Sequence, residues 1–276
     1  MILPAVLSIA GSDSSGGAGI QADIKTICAH GLFAETAITA LTAQNTCGVT
    51  GVQGVEPAFV AEQIDAVFDD IPPAAVKIGM VSSAAIVEAI ADRLRAHGAR
   101  NVVVDPVMVA TSGARLIDEG AQEALVDELF PLADVVTPNL PEASVLAGFE
   151  IDGEAAMERA ARAVLAMGPR AALVKGGHLS DSADDVLLVS PDAPASEASV
   201  APCIWIEGKR IATRNAHGTG CTLSSAIACG LAAGLGVEES VRAAKRYVAG
   251  ALAAGLDLGK GSGPLDHMWE SRAHCS

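Results

Sequence analysis

The sequence predicts an α/β fold, in which a doubly wound and mostly parallel β-sheet is covered by helices on both faces. Two observations lead to this prediction. Short stretches such as residues 5–10 and 101–107 consist almost entirely of apolar residues, as do strands that are buried on both faces. Longer stretches rich in Ala, Glu and Leu lie between them, and this alternation of strand and helix is typical of a parallel sheet.

The predicted elements follow in order along the chain. Strands are expected at residues 5–10, 34–41, 75–80, 101–107, 133–139 and 171–177. Helices are expected between them, for example at residues 83–98 and 153–168. A pair of strands that turns at Glu207 and Gly208 is expected within residues 203–213. Two helices, at residues 221–234 and 238–254, complete the predicted fold.

The composition limits the size of the fold and the classes of partner. The chain has 276 residues and no linker or repeat, so we expect one domain over residues 1–276. Hydrophobic residues make up 50% of the chain but aromatic residues only 3%, so the core must consist of Ala, Val, Leu and Ile. The net charge of −15 argues against nucleic acid or an anionic membrane surface as a partner. A small anionic ligand needs only a local positive site and is not excluded.

The cysteines and the apolar segments indicate a cytoplasmic protein without a membrane span. None of the six cysteines forms a C-x-x-C pair, so a zinc site is not expected and reduced thiols are favoured. The apolar N-terminus has no Lys or Arg before Lys25, which predicts a buried first strand rather than a signal peptide. Residues 218–237 carry no charge, but glycines limit the helical part to about 13 residues, short of the ~20 that a bilayer requires.

Polar residues follow several of the predicted strands, at the edge where ligands bind in this class of fold. A Gly/Ser-rich loop and the start of a helix, "GSDSSGGAGIQADIKT" (residues 11–26), follow the first strand, and its glycines let backbone N–H groups approach a ligand. An ordinary turn would explain the glycines, but it does not explain Asp23 and Lys25 in the helix. Lys175, at the end of the strand in "VKGGH", is either a phosphate ligand or a surface lysine.

Three oxygen-bearing side chains at this edge could hold a hydrated Mg²⁺ ion. Asp105 lies in "DPV" after one strand, and Asn139 and Glu142 lie in "TPNLPEA" after another. Mg²⁺ is commonly held by one or two carboxylates together with water molecules. Glu142 has an equally good alternative interpretation as a carboxylate that the dipole favours at a helix N-terminus.

The stretch "GTGC" (Gly218, Thr219, Gly220 and Cys221) predicts an anion hole at the start of a helix. Small residues there expose successive backbone N–H groups, where the helix dipole concentrates positive charge. Such a site can hold the charge that develops on a phosphoryl group during its transfer. The same field is expected to lower the pKa of the Cys221 thiol and to favour thiolate. The alternative is a small cysteine that merely packs at the helix start.

Seven motifs, in order from residue 11 to residue 228, carry a resemblance to a known family. They are "GSDSSGGAGIQADIKT", "ALTAQNT", "KIGM", "DPVMVATSGARLI", "TPNLPEA", "VKGGH" and "GTGCTLSSAIA". Together they resemble the hydroxymethylpyrimidine/phosphomethylpyrimidine kinases of thiamine biosynthesis, within the ribokinase-like superfamily. The resemblance covers nearly the whole chain and leaves out only the tail after about Gly259.

The resemblance implies a three-layer ribokinase-like fold, an activity and a homodimer. The activity is the ATP- and Mg²⁺-dependent phosphorylation of 4-amino-5-hydroxymethyl-2-methylpyrimidine and of its monophosphate. The residues that it implies for the pyrimidine are Gly11, Asp23 and Gln44, with Met80 and Val107 packed on the ring. The residues that it implies for the phosphates, nucleotide and metal are Lys175 (ATP phosphates), Thr137 and Asn139 (nucleotide), Asp105 and Glu142 (Mg²⁺), residues 218–221 (anion hole) and Lys245 (transferred phosphate).

The family also suggests why a cysteine stands at position 221. Related sugar kinases carry an aspartate there, which acts as a base for a neutral alcohol. The second acceptor of this family is a phosphate monoester that is already ionised and needs no base. A fixed carboxylate would repel it by roughly a few kcal/mol in a partly desolvated site, whereas a thiol can be neutral.

Three other functions compete with this one. A pyridoxal-type kinase of the same superfamily would share the anion hole and differ in residues that line the ring pocket, such as Gln44. A transferase that uses Cys221 as a covalent nucleophile would need a histidine base, for which His217 is the candidate. A nucleotide-binding regulatory protein without turnover is disfavoured because Lys175, Glu142 and Cys221 are all present.

Overall fold

The computed structural model describes residues 3–108, 119–177, 183–190 and 202–273, and in these residues nine strands form one sheet. The strands are β1 (Ala5–Asp13), β2 (Phe33–Asn45), β3 (Gly48–Gly54), β4 (Ala75–Ile78), β5 (Val102–Val104), β6 (Val135–Val136), β7 (Ala171–Val174), β8 (Asp185–Val189) and β9 (Ile204–Ile206). Their order is β3-β2-β1-β4-β5-β6-β7-β8-β9. β1, β2 and β4 to β7 pair in parallel, whereas the β2–β3, β7–β8 and β8–β9 pairs are antiparallel. The predicted mostly parallel sheet is confirmed.

Helices cover both faces of this sheet. In the described part of the chain they are α1 (Gly19–Ala29), α2 (Pro57–Asp70), α3 (Ala84–His97), α4 (Glu119–Ala124), α5 (Leu140–Ala147), α6 (Glu154–Leu165), α7 (Thr219–Ala232), α8 (Val237–Ala254) and α9 (Trp269–Ala273). One core contains side chains from α1, α7 and α8, and another contains side chains from α2 and α3. None of these helices combines the length and the apolar character needed to cross a bilayer.

β5 shows why the central strands are apolar throughout. Val102 and Val104 pack in the core beneath α2 and α3, whereas Val103 packs in the core beneath α1, α7 and α8. Successive side chains of a strand point to opposite faces of the sheet, so a strand with helices on both sides must be apolar at every position. The same pattern predicted the parallel sheet from the sequence.

α3 illustrates how local sequence sets the ends of a helix. Ser83 caps its N-terminus by accepting a hydrogen bond from the N–H of Ile86. Gly98 ends it in the left-handed conformation, at φ 60°, which glycine adopts without strain. Ile86, Ile90 and Leu94 recur every four residues and are buried against the sheet. These signals explain the close agreement with the predicted helix at residues 83–98.

The central strands end earlier than predicted because prolines follow them. β5 ends at Val104 and β6 at Val136, and Pro106 and Pro138 lie two residues after these ends. Proline has no N–H to donate to a neighbouring strand, so the sheet cannot continue there. The polar residues beside the prolines therefore leave the sheet and become available to a site.

The predicted strand pair in residues 203–213 is wrong. β9 forms, but it pairs with β8, and no strand follows the turn. The reason lies in the backbone of Gly208, which bonds to residues at the start of β8. Its N–H donates to Asp184 Oδ1 at 2.7 Å, and its carbonyl accepts from Ala183 N–H at 3.3 Å. β3 and β8 were not predicted from the sequence.

The tail after α8 returns to the carboxyl end of the sheet, and we call residues 255–268 the C-terminal strap. The N–H of Ser262 donates to the carbonyl of Thr46, just after β2. The carbonyl of Gly263 accepts from the N–H of His217, just before α7. The buried His267 lies 3.0 Å from Thr222 Oγ1 through its Nε2 atom. The strap thus joins the β2–β3 hairpin to the start of α7.

Candidate active site

The candidate site lies where the order of the strands reverses. From β1 the chain passes to β2 and β3 on one side, then returns to β4 on the other side of β1 and continues outward. In doubly wound sheets, ligands bind outside the carboxyl ends of the strands at this position, because the loops there diverge and leave a crevice. The loop after β1, the residues after β5 to β7 and the start of α7 all lie at this edge.

A charged cluster forms after β5, β6 and β7, as the sequence predicted. Lys175 Nζ donates to Asp105 Oδ1 at 2.9 Å, and Thr137 Oγ1 donates to the same oxygen at 3.2 Å. Asn139 forms a parallel β-bridge with Lys175. Burial alone would lower the pKa of Lys175, but Asp105 and Glu142 raise it, so the ammonium stays charged. Asp105 is thus both a predicted metal ligand and the partner of this ammonium.

The N-terminus of α7 lies directly against this cluster. A Cβ atom on Gly220 would stand 3.2 Å from Asp105 Oδ2 and 3.4 Å from Lys175 Nζ. Gly218 has φ 87°, and a Cβ there would overlap the carbonyl oxygen of Gly17. The first N–H groups of a helix have no partner within the helix. The predicted anion hole, residues 218–221, therefore has a lysine ammonium beside it.

The Cys221 thiol is neutral, which corrects the expected thiolate. Burial raises the pKa of Cys221, Lys77 lowers it, and the carboxylates of Asp23 and Asp105 raise it, with a net pKa of about 11. The helix N-terminus would favour a thiolate on its own. The two carboxylates are far away in sequence, at positions 23 and 105, so the sequence alone did not reveal them as neighbours of the thiol.

Asp23 forms a buried ion pair near Cys221. Its carboxylate accepts from Lys77 Nζ at 2.8 Å, from Ser8 Oγ at 2.6 Å and from Ser225 Oγ at 2.7 Å. Asp23 and Lys77 are both 0% exposed. The arrangement favours a role for Asp23 in supporting the floor of the site, and its contact with a pyrimidine stays a prediction. Lys77 was missed, although a lysine within an apolar strand signals a buried ion pair.

Two of the predicted ring contacts meet at the end of β1. A Cβ atom on Gly11 would stand 2.5 Å from Met80 Cε, so the methionine side chain lies over the glycine. The carbonyl of Met80 accepts from Thr39 Oγ1 at 2.8 Å, which ties this loop to β2. Val107 lies three residues after the end of β5, and its N–H donates to the Asp105 carbonyl at 2.8 Å. That these side chains pack on a ring stays a prediction.

Gln44 lies in a network with a histidine and an aspartate. Its Nε2 atom is 3.2 Å from His217 Nε2, and its Oε1 atom is 3.1 Å from Thr42 Oγ1. His217 Nε2 is also 2.8 Å from Asp13 Oδ2. His217 is therefore directed at Asp13 and Gln44, which disfavours its role as a base for Cys221. Asp13 and His217 are 204 residues apart, and no local pattern connects them.

Glu142 lies at a helix N-terminus, as its alternative interpretation predicted, and its role as a Mg²⁺ ligand stays a prediction. It forms a capping box with Asn139, in which each backbone N–H donates to the other side chain at 2.8 and 2.9 Å. It is 5% exposed, and burial together with Asp105 raises its pKa to about 7, against the lowering effect of Lys175. A cation bound beside Glu142 and Asp105 would stabilise the ionised form of this buried carboxyl group.

Lys245 lies beside the start of β8, near the residues that follow Lys175. Its Nζ atom donates to Asp185 Oδ2 and to the carbonyl of Ala183. Asp185 Oδ1 in turn accepts from the N–H of Gly176, one residue after Lys175. Lys245 therefore supports the loop that carries Lys175, and its contact with a transferred phosphate stays a prediction.

Comparison with known proteins adds independent information. Residues 13–266 match the family described as phosphomethylpyrimidine kinase. A hydroxymethylpyrimidine/phosphomethylpyrimidine kinase of Rhizobium meliloti is 52% identical over 265 residues, which are 95% of this chain and 96% of that protein. Its counterpart in Streptomyces coelicolor is 49% identical over 266 residues, 96% of this chain and 95% of that protein. The thiamine biosynthesis bifunctional protein ThiED of Geobacter sulfurreducens is 51% identical over 95% of this chain, which spans 52% of its length.

Solved structures share the fold. The phosphomethylpyrimidine kinase of Clostridium difficile matches with a TM-score of 0.75 and 43% identity, covering 89% of this chain and 97% of that one. The pyridoxal kinase of Bacillus subtilis, solved as an ADP complex, matches with a TM-score of 0.87 and 33% identity, covering 98% of this chain and 100% of that one. The backbone therefore fits both kinds of kinase, while the sequence is more similar to the pyrimidine kinases.

Proposed function

The chain belongs to the phosphomethylpyrimidine kinase family, and on that premise we propose that it phosphorylates 4-amino-5-hydroxymethyl-2-methylpyrimidine twice, in the biosynthesis of thiamine diphosphate. ATP supplies both phosphoryl groups, and the second acceptor is the monophosphate formed first. The observation that supports this most strongly is the N-terminus of α7, which lies against Lys175 and presents Cys221 instead of a carboxylate.

The geometry supports phosphoryl transfer by charge stabilisation. The acceptor oxygen bonds to the γ-phosphorus while the bond from that phosphorus to the bridging oxygen breaks, and ADP leaves with the electron pair. When the acceptor is the alcohol, its hydroxyl proton passes to water. Such transfers have loose transition states, in which charge on the equatorial oxygens needs stabilisation more than the nucleophile needs a base. Lys175 and the N–H groups of residues 218–221 supply that stabilisation. The neutral thiol adds no negative charge that would oppose an acceptor already carrying a phosphate.

Pyridoxal kinase is the second candidate, since pyridoxal kinase structures share the fold over almost the whole chain. Two observations favour the pyrimidine. The relatives that are 49% and 52% identical are named for the pyrimidine activity. An amide such as that of Gln44 can pair with an amino group and a ring nitrogen together, whereas a phenolic oxygen would leave part of it unpaired.

We expect both the pyrimidine alcohol and its monophosphate to be acceptors and to be preferred over pyridoxal. A buried polar group left unpaired costs about 1–3 kcal/mol, which corresponds to a roughly ten- to hundredfold preference in kcat/KM. The measurement is ADP release with ATP and Mg²⁺ for each alcohol, followed by mass determination of the product after long incubation. Exclusive accumulation of the monophosphate, or a higher kcat/KM for pyridoxal, would contradict the assignment.

We also propose that Asp105 and Glu142 hold Mg²⁺, in part through water. Among the described residues no group of three or more His, Cys, Asp or Glu side chains could hold a metal ion. Two carboxylates with water and substrate phosphates are, however, a ligand set that Mg²⁺ commonly takes. The buried Glu142, with its raised pKa beside Asp105, fits such an ion because a cation would stabilise both charges. When bound, Mg²⁺ would neutralise phosphate charge.

Replacing Glu142 by glutamine is expected to raise the Mg²⁺ concentration needed for half-maximal rate roughly tenfold, because one of two anionic ligands is lost while the cap can be kept. The matched control is Glu150→Gln, which removes the same charge from an exposed position after α5. Both variants are titrated with Mg²⁺ at saturating ATP. Identical titration curves for the Glu142 variant and the wild type would show that Glu142 serves only as a helix cap.

The remaining assignments are proposals of the same kind. The residues Gly11, Asp23, Gln44, Met80 and Val107 are proposed for the pyrimidine, Thr137 and Asn139 for the nucleotide, and Lys245 for the transferred phosphate. We propose one kinase domain, a cytoplasmic location, in keeping with free cysteines in the described residues, and a homodimer. The exposed apolar side chains of Leu41 and Val52 on the β2–β3 hairpin, at the edge of the sheet, support the homodimer.

A further inference from the structure

We propose that His217 is a positioning residue for acceptor specificity: it fixes which atom of the Gln44 amide faces the acceptor ring. The proposal rests on the proposed function, since it concerns how the same site distinguishes an aminopyrimidine from a hydroxypyridine. His217 takes no part in bond making. It acts through Gln44, and the contacts around its ring determine how.

The His217 ring has little freedom to move. It is 8% exposed, and its backbone N–H donates to the carbonyl of Gly263 in the C-terminal strap at 3.0 Å. A Cβ atom on Gly17 would collide with its Cδ2 atom and stand 3.3 Å from the ring of Pro264. Gly17 and the strap thus enclose the imidazole from two sides. Its Nε2 atom is held beside both Asp13 and Gln44.

Nε2 can make only one strong hydrogen bond in the plane of the ring, and Asp13 determines its kind. Asp13 Oδ2 lies 2.8 Å from Nε2 and also accepts from the N–H groups of Gly17 and Ala18. Burial would raise the pKa of Asp13, but the bonds from His217, Ser15 and Ala18 lower it to about 2. A bare nitrogen lone pair facing this carboxylate would be repelled. Nε2 therefore carries a proton and donates it to Asp13.

This proton decides the orientation of Gln44. An Nε2 that carries hydrogen has no lone pair for the amide NH₂ group, so the Gln44 atom that lies 3.2 Å away must be the carbonyl oxygen. The other end of the amide then donates to Thr42 Oγ1, which can accept because its own hydrogen goes to the Ser12 carbonyl at 2.9 Å. With this orientation every donor faces an acceptor. The remaining N–H and lone pair of the amide have fixed positions for a ligand.

Among the residues that the structure describes, the partners of the Gln44 amide are His217 and Thr42, and Thr42 does not fix the amide in the same way. The Thr42 hydroxyl hydrogen can turn from the Ser12 carbonyl to the Gln44 amide, because both lie within hydrogen-bond distance, so Thr42 accommodates either amide orientation. The hydrogen bonds between the Gln44 backbone and the Ser14 hydroxyl hold the main chain of the hairpin but do not restrain the Gln44 side-chain amide. Without the imidazole, the amide can rotate to suit either an amino group or a phenolic oxygen. His217 is thus the group that makes the pocket selective.

The test compares His217→Ala with His217→Gln, whose amide N–H can replace Nε2–H. We measure KM and kcat for the pyrimidine alcohol and for pyridoxal. We expect the alanine variant to raise KM for the pyrimidine alcohol roughly tenfold, to change kcat less than about threefold and to lose most of the selectivity. The glutamine variant should recover most of it. His97→Gln is the matched control, because His97 forms a similar pair with Asp65 at 2.6 Å on the surface of α2 and α3.

Further measurements separate this proposal from folding defects and from the proposed function. Gln44→Ala should lose the same selectivity, and the double variant should lose no more than either single one. Nitrogen NMR of the wild-type histidines should show Nε2 of His217 protonated. Retained selectivity in His217→Ala, additive losses, or an unprotonated Nε2 would overturn the proposal. A wild type that prefers pyridoxal would instead refute the proposed function.

Discussion

Replacing Cys221 by alanine is expected to lower kcat for both phosphorylations by roughly 10²-fold and to leave KM for the pyrimidine nearly unchanged. Cys221 lies in the first turn of α7, where negative charge develops only as the phosphoryl group moves. The measurement is steady-state kinetics with each acceptor. Cys229→Ala is the matched control, because it removes a thiol from the same helix in the apolar core. Wild-type turnover in the Cys221 variant would show that the thiol only fills space at the helix start.

Cys221→Asp tests the physical reason for the thiol. Asp23 and Asp105 already oppose negative charge at this position, whereas Lys77 favours it. A third carboxylate would repel an acceptor that carries a phosphate more than it repels a neutral alcohol. We therefore expect the aspartate variant to keep more of the first phosphorylation than of the second. Equal losses in the two steps would contradict the charge argument.

Gly218→Ala is expected to abolish activity, with a loss of at least roughly 10³-fold in kcat, because one missing stabilising donor alone costs about 10²–10³. The φ of 87° is unfavourable for alanine, and the new Cβ would overlap the carbonyl oxygen of Gly17. The helix start must then shift, and its N–H groups leave their positions beside Lys175.

Gly234→Ala provides an unusually close control for this prediction. Gly234 lies at the other end of α7 with φ 86°, yet a Cβ there would meet no atom within 4 Å. It should carry the same backbone strain, about 1–2 kcal/mol of stability, without loss of kcat. Thermal unfolding and kcat are measured for both variants. If the Gly234 variant lost as much activity as the Gly218 variant, backbone strain rather than the position of the anion hole would be responsible.

The sequence predicted the parts of the fold and site that depend on neighbouring residues. Apolar strands buried on both faces predicted the parallel sheet, and polar residues after strand ends, such as Asp105 and Lys175, were predicted to converge. Local signals sufficed because the carboxyl ends of parallel strands meet at one edge of the sheet. The position of Glu142 at a helix N-terminus was likewise predicted, whereas its capping box with Asn139 was not.

The features that the sequence did not predict depend on residues distant in the chain. The pKa of Cys221 is raised mainly by burial, and the charges that act on it come from Lys77, Asp23 and Asp105, so the local helix-dipole argument gave the wrong direction. His217 and Asp13 are 204 residues apart, so no local pattern in the sequence indicates that they pair. The strand pair predicted in residues 203–213 was wrong because Gly208 bonds to the start of β8 instead.

The C-terminal strap has a consequence for when activity can arise during synthesis. Thr46, just after β2, and His217, just before α7, both bond to the backbone of residues 260–263. The contacts of Thr46 with Lys260 and Gly261 join residues 214 and 215 positions apart, and such non-local contacts form slowly. A ribosome adds about 5–20 residues per second, so most of the sheet is available to fold before the strap exists. We therefore expect a nascent chain that has not yet reached residues 255–268 to have little kinase activity, because Thr46 and His217 still lack these contacts.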